Sequence, residues 1–460
     1  MNYRLRAISY KWVLFVFITY NSSFITHHSF AQTYVTIPDP NFASYLKSIV
    51  PYAMNNGQLN TSSPAVTTLT NMTVNNKNIT NLTGIQYFTS LDTLIVINNQ
   101  ITTIPAFPNS LMFIDCFNNQ LTQLPPLPSS LNLLSCGRNK LSSLPVLPNT
   151  LNYLDCDNNK LTGLPVLPNT LNYLDCDNNK LTGLPALPNT LNYLNCSANF
   201  LSSLPALDTA LQNLQCYHNI LTNLPALPHL LQNLDCSYNH LTSLPTLDTT
   251  LIFLTCDYNQ LTGLPALPAL LSSLNCNHNQ LTSLPTLPVY LDNLGCTNNQ
   301  LTSLPTLPNY IGGIYCGNNQ IGCFPFFPNS LGEIALNPNP YTCLPNYERG
   351  MIYPDGIGGV SDSITHPLCT IANANDGCYI AGINQFTNNN ALKIYPNPDN
   401  NKITIDANDV VDIKLFDVVG KQIFTTKTTD VDVSNFNDGV YFIQVQTNAG
   451  ISTQKIIVQH

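Results

Sequence analysis

One stretch of the sequence decides the fold: Leu151-Asn-Tyr-Leu-Asp-Cys156-Asp-Asn-Asn159-Lys-Leu161-Thr-Gly-Leu-Pro165-Val-Leu-Pro168-Asn-Thr170. The next 15 residues, 171–185, repeat residues 151–165 without a single change. The 20-residue spacing continues without an insertion from Leu111 to about Pro340, and two earlier units begin at Leu69 and Leu91. About fourteen coils therefore follow one another, which is the signature of a solenoid rather than of a globular domain.

The spacing inside one unit predicts the path of each coil. Leu151, Leu154 and Cys156 occupy positions 1, 4 and 6 of the unit, and the last two alternate as an inward-facing strand requires. Asn159 and its equivalents form a ladder after the strand, where their amides can satisfy backbone groups. Pro165 and Pro168 exclude a helix on the return path and favour polyproline II. The pattern predicts a leucine-rich-repeat solenoid, with a parallel β-sheet on its concave side and extended polyproline chain on its convex side.

Position 6 of the unit holds a row of eleven cysteines, which allows two interpretations. The row is a metal or disulfide ladder, or it is core filling by a small apolar side chain. Val74, Val96 and Leu336 take the same position in the terminal coils, so the sequence favours core filling. Four further cysteines depart from the row and are candidates for disulfide bonds at the end of the solenoid in an exported protein: Cys323, Cys343, Cys369 and Cys378.

The two ends of the solenoid differ from the repeat. Residues 1–31 have a basic start, a short apolar run and a small-x-small site, which predicts a signal peptide cleaved between Ala31 and Gln32. Residues 32–68 are expected to form an N-terminal cap with a short helix over 41–50, before the repeats at 69–344. Residues 345–390 are expected to be a C-terminal cap and linker. No run approaches the roughly 20 apolar residues of a transmembrane helix.

Composition narrows the classes of function. Charged residues make up 9% of the chain, and the net charge is -9 with a pI near 5.2. This balance argues against nucleic acid as a partner, since such a partner needs a basic face. Known catalytic sequence motifs and a cofactor fingerprint are both missing from the sequence, so we expect neither enzyme activity nor a cofactor or metal requirement.

Aromatic residues at positions 3, 7 and 8 are the first candidate binding surface on the concave face. Stacked rings with polar tips suit sugar or protein surfaces. The alternative is that duplication of the unit copied tyrosine and each ring merely covers its neighbour. The candidate residues are Tyr153, Tyr173, Tyr193, Tyr217, Tyr238 and Tyr258.

Four aspartates at positions 5 and 7 are the second candidate: Asp155, Asp157, Asp175 and Asp177. Residues two apart on a strand face the same way, so stacking of two coils should place the four carboxylates in a rectangle. A solvated acidic patch is the favoured interpretation. Calcium, a basic ligand or the lysines at position 10 (Lys140, Lys160 and Lys180) could balance the charge. A glycosidase pair is rejected, because an open sheet offers no pocket that would raise one pKa.

The unit Leu-x-x-Leu-x-Cys-x-x-Asn-x-Leu-Thr-x-Leu-Pro-x-Leu-Pro resembles the short leucine-rich repeats of secreted bacterial effectors, including the novel ubiquitin-ligase effectors. Those ligases carry a catalytic domain after the repeats, and the segment that follows the repeats here is different, so ligase activity is not expected. The motifs Ile37-Pro-Asp-Pro-Asn-Phe42 and Leu82-Thr-Gly-Ile85 are similar to the caps of leucine-rich-repeat surface proteins.

Residues 391–460 resemble the type A C-terminal sorting domain of the type IX secretion system. The matching motifs occur in order: Ile394-Tyr-Pro-Asn-Pro398, Lys414-Leu-Phe-Asp-Val-Val-Gly-Lys421, Gly439-Val-Tyr-Phe-Ile-Gln-Val445 and Gln454-Lys-Ile-Ile-Val-Gln459. The resemblance implies a small immunoglobulin-like β-sandwich that engages the type IX secretion machinery. It also implies a protein that is secreted or attached to the outer-membrane surface of a Gram-negative bacterium.

The leading functional hypothesis is a binding module that acts in adhesion or ligand capture through its concave face, with a protein or glycan as partner. The alternative is a structural spacer or self-associating coat protein without a specific ligand. The patterned concave face favours the first, whereas the near-identical coils at 151–190 favour the second.

Overall fold

The computed structural model describes residues 33–207, 210–345, 393–395, 402–407, 409–417, 421–447 and 450–459. The chain divides into two compact units, Met1–Cys369 and Thr370–His460. The predicted signal peptide, with its cleavage site at Ala31 and Gln32, lies outside the described residues, as do Cys369 and Cys378. The predicted domain boundaries therefore stay predictions.

A small cap precedes the repeats. It contains the antiparallel strands β1 (Tyr34–Thr36), β2 (Met54–Asn55) and β3 (Gln58–Asn60), with β3 in the centre. It also contains the helices α1 (Pro40–Ile49) and α2 (Pro64–Thr67) and a short 3-10 helix, Pro51–Ala53. The helix predicted over 41–50 is thus present, one residue earlier than expected.

Asp39 fixes both the start of α1 and its attachment to the first coils. Its carboxylate accepts a hydrogen bond from Phe42 N at 2.9 Å, as an N-cap does. It also accepts bonds from Thr80 N at 2.7 Å and Thr80 Oγ1 at 2.6 Å. Burial alone would raise the pKa of Asp39, but the bonds from Thr80, Phe42 and Asn41 outweigh it and lower the pKa. Phe42 and Leu46 on the other face of α1 are fully buried and cover the open end of the core.

A single parallel sheet of 14 strands follows, in strict chain order. Each strand has three residues, and equivalent residues of neighbouring coils pair directly, as Leu154 does with Leu174. The strands are β4 (Asn71–Thr73), β5 (Thr93–Ile95), β6 (Phe113–Asp115), β7 (Leu133–Ser135), β8 (Tyr153–Asp155), β9 (Tyr173–Asp175), β10 (Tyr193–Asn195), β11 (Asn213–Gln215), β12 (Asn233–Asp235), β13 (Phe253–Thr255), β14 (Ser273–Asn275), β15 (Asn293–Gly295), β16 (Gly313–Tyr315) and β17 (Glu333–Ala335).

The chain between the strands is extended rather than helical. In the coils from Leu111 onward no helix is found among the described residues, which agrees with the paired prolines. A turn closes before each strand, where Leu171 N donates to Pro168 O at 3.1 Å. Beside it, Thr170 Oγ1 donates to Leu151 O at 2.7 Å, so that the turn is tied to the preceding coil. These features confirm the predicted solenoid.

The eleven cysteines of position 6 are free thiols with no exposed surface. Their sulfurs face the backbone of the next coil; Cys156 Sγ, for example, lies 3.3 Å from Asp175 O. Burial raises the pKa of Cys156 well above its usual value, so the thiol stays neutral. The row therefore fills the core, as expected for a small apolar side chain. The disulfide bonds proposed for Cys323 and Cys343 stay a prediction.

The asparagine at position 9 satisfies the backbone of two coils at once. Asn179 Nδ2 donates to Cys156 O at 3.0 Å in the preceding coil and to Cys176 O at 3.2 Å in its own. Its Oδ1 accepts from Leu161 N at 2.9 Å. The same pattern recurs at the equivalent asparagines from Asn99 to Asn339. Each amide therefore replaces hydrogen bonds that the bend after the strand would leave unmade.

The second unit consists of antiparallel strands in two sheets. One sheet contains β18 (Lys393–Tyr395), β19 (Lys402–Asp406) and β22 (Asp430–Asp432). The other contains β20 (Val410–Phe416), β21 (Gln422–Thr426), β23 (Gly439–Thr447) and β24 (Gly450–Val458). Residues of both sheets, such as Ile403 and Ile443, bury into one core, consistent with the predicted immunoglobulin-like sandwich. Among the described residues of the whole chain, none of the helices has the length and apolar character needed to cross a membrane.

We expect Asn179→Ala to destabilise the solenoid by about 2 kcal/mol, because it leaves the buried Leu161 N–H without a partner and leaves the Cys156 carbonyl with only its bond from Asn159 Nδ2. Urea unfolding, together with hydrogen exchange at the Leu161 amide, measures the effect. Asn172→Ala is the matched control: its amide makes one bond, to Thr190 O, at an exposed site. Equal losses for the two variants would contradict the role given to position 9.

Candidate binding surfaces of the repeat sheet

The tyrosines at position 3 form a continuous stack on the sheet. Tyr153, Tyr173 and Tyr193 begin β8, β9 and β10 and pair directly with one another. The first two ring centroids are 4.2 Å apart at 7°, and the next two are 4.4 Å apart at 3°. Parallel strands in register lie about 4.8 Å apart, so identical side chains at this position have to stack. We call these three residues the tyrosine ladder.

The ladder leaves ring edges and hydroxyl groups available to a ligand, and it covers the ring faces. Both faces of Tyr173 are occupied by its neighbours. The outer neighbours at the two ends are Leu133 and Asn213. Burial, followed by the negative charge of Asp155, raises the pKa of Tyr153, which keeps its phenol neutral. The alternative interpretation, in which each ring merely covers its neighbour, thus accounts for the ring faces. It does not account for the ring edges, which stay partly exposed.

The tyrosines at position 8 lie on a different surface, which corrects the prediction of one concave ridge. Tyr238 and Tyr258 follow their strands by three residues and stand in the bend beyond the sheet. They stack with the histidines at either end: His218–Tyr238, Tyr238–Tyr258 and Tyr258–His278 centroids are 4.1, 4.2 and 4.0 Å apart. Tyr217, at position 7, meets the His218 ring edge-on at 5.8 Å. We call the four stacked residues the bend stack.

The backbone of the bend stack is left-handed. Tyr238 has a φ of 53° and Tyr258 a φ of 51°. Asparagine, which tolerates this conformation, stands at the same position in coils such as those of Asn158 and Asn178. Bulky rings pay roughly 1 kcal/mol each to adopt it. The spacing of the repeat does not reveal this left-handed conformation. The sequence does show that rings replace asparagine at this position.

The four aspartates come together as predicted, but they are not a solvated patch. Burial, and then the charge of Asp157, raises the pKa of Asp155 to about 7. Burial, and then the charge of Asp175, raises the pKa of Asp177 to about 6. Their backbone partners explain the burial: Asp155 Oδ1 and Asp175 Oδ1 each accept the N–H of the aspartate two residues on, at 3.2 Å. These two bonds keep the carboxylates of Asp155 and Asp175 against the backbone of their own turns and away from solvent.

Internal partners balance the charge of this acidic cluster only in part: Arg138 lowers the pKa of Asp177, and neutral groups such as Ser135 Oγ donate to the carboxylates. Oδ1 of Asp157 and Oδ1 of Asp177 are buried without a hydrogen-bond partner. Asp157 also leans over Gly137, where a Cβ would come within 1.8 Å of its Oδ1. No ion pair joins the cluster to Lys140, Lys160 or Lys180 among the described residues, so the lysines do not neutralise it. In the same part of the chain no group of three or more His, Cys, Asp or Glu side chains is placed to hold a metal ion.

The sequence-based interpretation considered position 10 only for its three lysines and overlooked the apolar residues that continue their row. After the three lysines this position holds Phe200 and Ile220, whose side chains are 55% and 44% exposed. Other coils carry glutamine there, as at Gln260. The change from polar to apolar residues at this one position is visible in the sequence and could have identified the row as a candidate contact surface.

The comparisons with known proteins agree with both units. Residues 393–459 match the family model of a secretion system C-terminal sorting domain. YopM from Yersinia enterocolitica is similar at 30% identity, over 62% of this chain and 72% of that chain, with a TM-score of 0.55. YopM from Yersinia pestis, a leucine-rich effector protein, is 34% identical over 57% of this chain and 76% of that chain, with a TM-score of 0.54. A search of curated protein sequences found no match.

The functional domain of InlJ from Listeria monocytogenes, which includes a cysteine ladder, has the same fold. It is 21% identical over 93% of this chain and 99% of that chain, with a TM-score of 0.53. At this identity the likeness concerns the fold alone.

We expect stability to fall as pH rises from about 4 to about 7, because the pKa of Asp155 rises from 3.8 to about 7 on folding. Across this window the unfolded chain releases a proton that the folded chain retains, so the folded state loses stability. Asp155→Asn should therefore raise the thermal midpoint at pH 7.5 and change it little at pH 4. Asp292→Asn, at an exposed site, is the control. A stabilisation that is the same at both pH values would contradict the assignment.

Proposed function

The chain belongs to the leucine-rich-repeat proteins and carries a secretion system C-terminal sorting domain, and from this premise we propose that it is an extracellular binding module that captures a ligand through its sheet face. The sorting domain indicates secretion with a surface or outer-membrane association. Adhesion or ligand capture is the proposed role of the repeats. The proposal assigns no catalytic role, in keeping with the lack of catalytic sequence motifs.

The tyrosine ladder is the observation that carries this proposal. Three half-buried tyrosines present a row of ring edges and hydroxyl groups at the centre of the sheet face. Tyrosine is enriched at interface hot spots, because it combines a large apolar area with a hydrogen-bonding tip. A glycan would stack on ring faces, and here the inner faces are covered by neighbouring rings, while Leu133 and Asn213 lie beside the two outer faces. A protein ligand, which packs against edges and hydroxyls, therefore suits the ladder better than a glycan does.

The acidic cluster supports a ligand with a basic side chain. Asp155 and Asp175 end the strands that begin with Tyr153 and Tyr173, so the cluster adjoins the ladder. No described lysine or arginine forms an ion pair with these carboxylates, although the charge of Arg138 lowers the pKa of Asp177. Burial and the charge of Asp157 raise the pKa of Asp155, on which no cation acts. An arginine or lysine from a ligand would supply a cation there. Binding should then weaken as pH falls below about 7, because Asp155 takes up a proton.

A structural role is the second candidate function. The residues that repeat without change between 151–165 and 171–185 produce stacks that stabilise the solenoid by themselves. A spacer or self-associating coat protein would need nothing more. The two candidates differ in one respect: a spacer requires the rings only for packing, whereas a binding module requires their edges and hydroxyl groups.

Binding to a panel of extracellular proteins and glycans tests the proposal, with the full chain compared with the triple variant Tyr153→Ala, Tyr173→Ala, Tyr193→Ala. We expect the variant to lose tenfold or more in affinity for a protein on the panel, as expected when hot-spot residues are truncated. The triple Tyr→Phe variant should keep the stack and lose only the contribution of the hydroxyl groups. Titration at pH 7.5 and 5.5 measures the contribution of the aspartates.

Phe253→Ala is the matched control for the ladder. This ring stands at position 3 in a distant coil and is 49% exposed. Circular dichroism establishes that each variant is folded. Binding that survives in the triple alanine variant would remove the ladder from the ligand site. If no protein or glycan on the panel binds, the spacer becomes the better account.

We further propose that export removes residues 1–31 and that the sorting domain at 391–460 directs the protein to the type IX machinery. Intact mass spectrometry of the secreted protein should give Gln32 as the first residue.

Pairing of Cys323, Cys343, Cys369 and Cys378 should appear as two disulfide bonds, with eleven thiols open to alkylation only after denaturation. Modification of the eleven thiols in the native protein would contradict their burial.

A further inference from the structure

A second surface runs along the bend edge of the solenoid, away from the tyrosine ladder. We call its exposed position-10 residues the edge row: Lys140, Lys160, Lys180, Phe200, Ile220 and His240. Neighbouring coils hold the row straight, because each backbone N–H bonds to the coil before. Lys160 N donates to Leu141 O at 2.9 Å and Phe200 N to Leu181 O at 2.9 Å. Successive side chains therefore follow one another at the coil spacing of about 4.8 Å.

One end of the edge row concentrates the positive charge of the solenoid. Five lysines and arginines lie between residues 69 and 344, and all but Lys77 stand at this edge in consecutive coils: Arg138, Lys140, Lys160 and Lys180. Among the described residues none of these forms an ion pair. Lys140 Nζ has a neutral partner, Gln120 Oε1, at 3.2 Å. Arg138 lies over the Phe117 ring, 5.4 Å from its centroid, and its charge lowers the pKa of Asp177. The three lysines have no such partner in the described chain, and because like charges in neighbouring coils repel, an anionic partner would stabilise them.

The other end of the edge row is apolar and exposed. Phe200 and Ile220 are 55% and 44% exposed and directly continue the line of lysines. The bend stack, at the position two residues earlier in each coil, begins beside Ile220 with His218 and continues through the next three coils, where Tyr238 and Tyr258 are each 42% exposed. The tyrosines hold a left-handed backbone that asparagine would adopt at lower cost. Exposed rings kept in such a conformation, in the coils that follow the exposed Phe200 and Ile220, point to a contact surface.

We propose that the bend edge docks an extended protein segment whose acidic residues lie on the lysines and whose apolar residues lie on Phe200, Ile220 and the bend stack. Six positions of the row span roughly 24 Å, which about seven extended residues cover. The apolar half distinguishes this partner from an anionic polysaccharide, which would use the lysines and leave Phe200 and Ile220 unused. The surface is independent of the tyrosine ladder and of the ligand proposed for it.

Selection from a phage-displayed library of random peptides about 12 residues long tests the proposal on the full chain. We expect enriched peptides to carry a run of Asp or Glu next to a run of apolar or aromatic residues. A synthetic, fluorescently labelled copy should bind the full chain and lose tenfold or more in affinity with Lys160→Ser plus Lys180→Ser. Phe200→Ser plus Ile220→Ser should cause a comparable loss. Added NaCl should weaken binding through the lysine half.

Three comparisons decide the outcome. Gln300→Ser plus Gln320→Ser changes the same row in coils outside the patch, where position 8 is asparagine, and should leave binding intact. Tyr173→Ala should also leave it intact, which separates this surface from the ladder. Polygalacturonate is the anionic-polysaccharide probe. The proposal is overturned if no acidic and apolar peptides are enriched, or if polygalacturonate binds through the lysines with no effect of the Phe200 and Ile220 changes.

Discussion

The asparagine at position 9 is the interaction on which the solenoid depends. A coil of 20 residues has no room for a helix on its return path, so little of its backbone is satisfied within the coil. Asn179 Nδ2 reaches Cys156 O and Cys176 O, and its Oδ1 holds Leu161 N. One side chain thus fixes two coils against each other. The buried leucines and cysteines fill the space that this ladder encloses, and no coil can be stable without its neighbours.

This ladder also determines what kind of surface the protein can present. Coils locked in register place like side chains on like, so an aromatic residue repeated in the sequence becomes a stack, and a repeated charge becomes a row. Neighbouring rings of Tyr153, Tyr173 and Tyr193 have centroids 4.2 and 4.4 Å apart and cover each other's inner faces. Recognition by such a surface uses edges, hydroxyl groups and charge. For this reason a protein ligand fits the sheet face better than a stacked sugar.

The sequence was sufficient to predict the features that follow from period and chemistry. The 20-residue repeat predicted the strands, the interchangeable apolar residues at position 6 predicted buried cysteines, and the motif order predicted the sorting domain. Side-chain environment was harder to predict. Asp155 was expected in a solvated patch. Its carboxylate instead accepts a hydrogen bond from Asp157 N, which keeps it against the turn, where it is largely buried. Tyr238 was assigned to the concave sheet, because spacing does not show that the chain turns left-handed after position 7.

The departures from the repeat carry more information about function than the repeat does. Coils that need only to stack keep asparagine at position 8, where its short side chain tolerates a positive φ. The coils of His218, Tyr238, Tyr258 and His278 give up that advantage, and the first of them carries the exposed Ile220 of the edge row. Stacking returns about 0.5–1.5 kcal/mol per ring pair, which roughly offsets the backbone strain but leaves no gain in stability. Since folding does not benefit from the exchange, retention of rings on an exposed edge is best explained by contact with a partner.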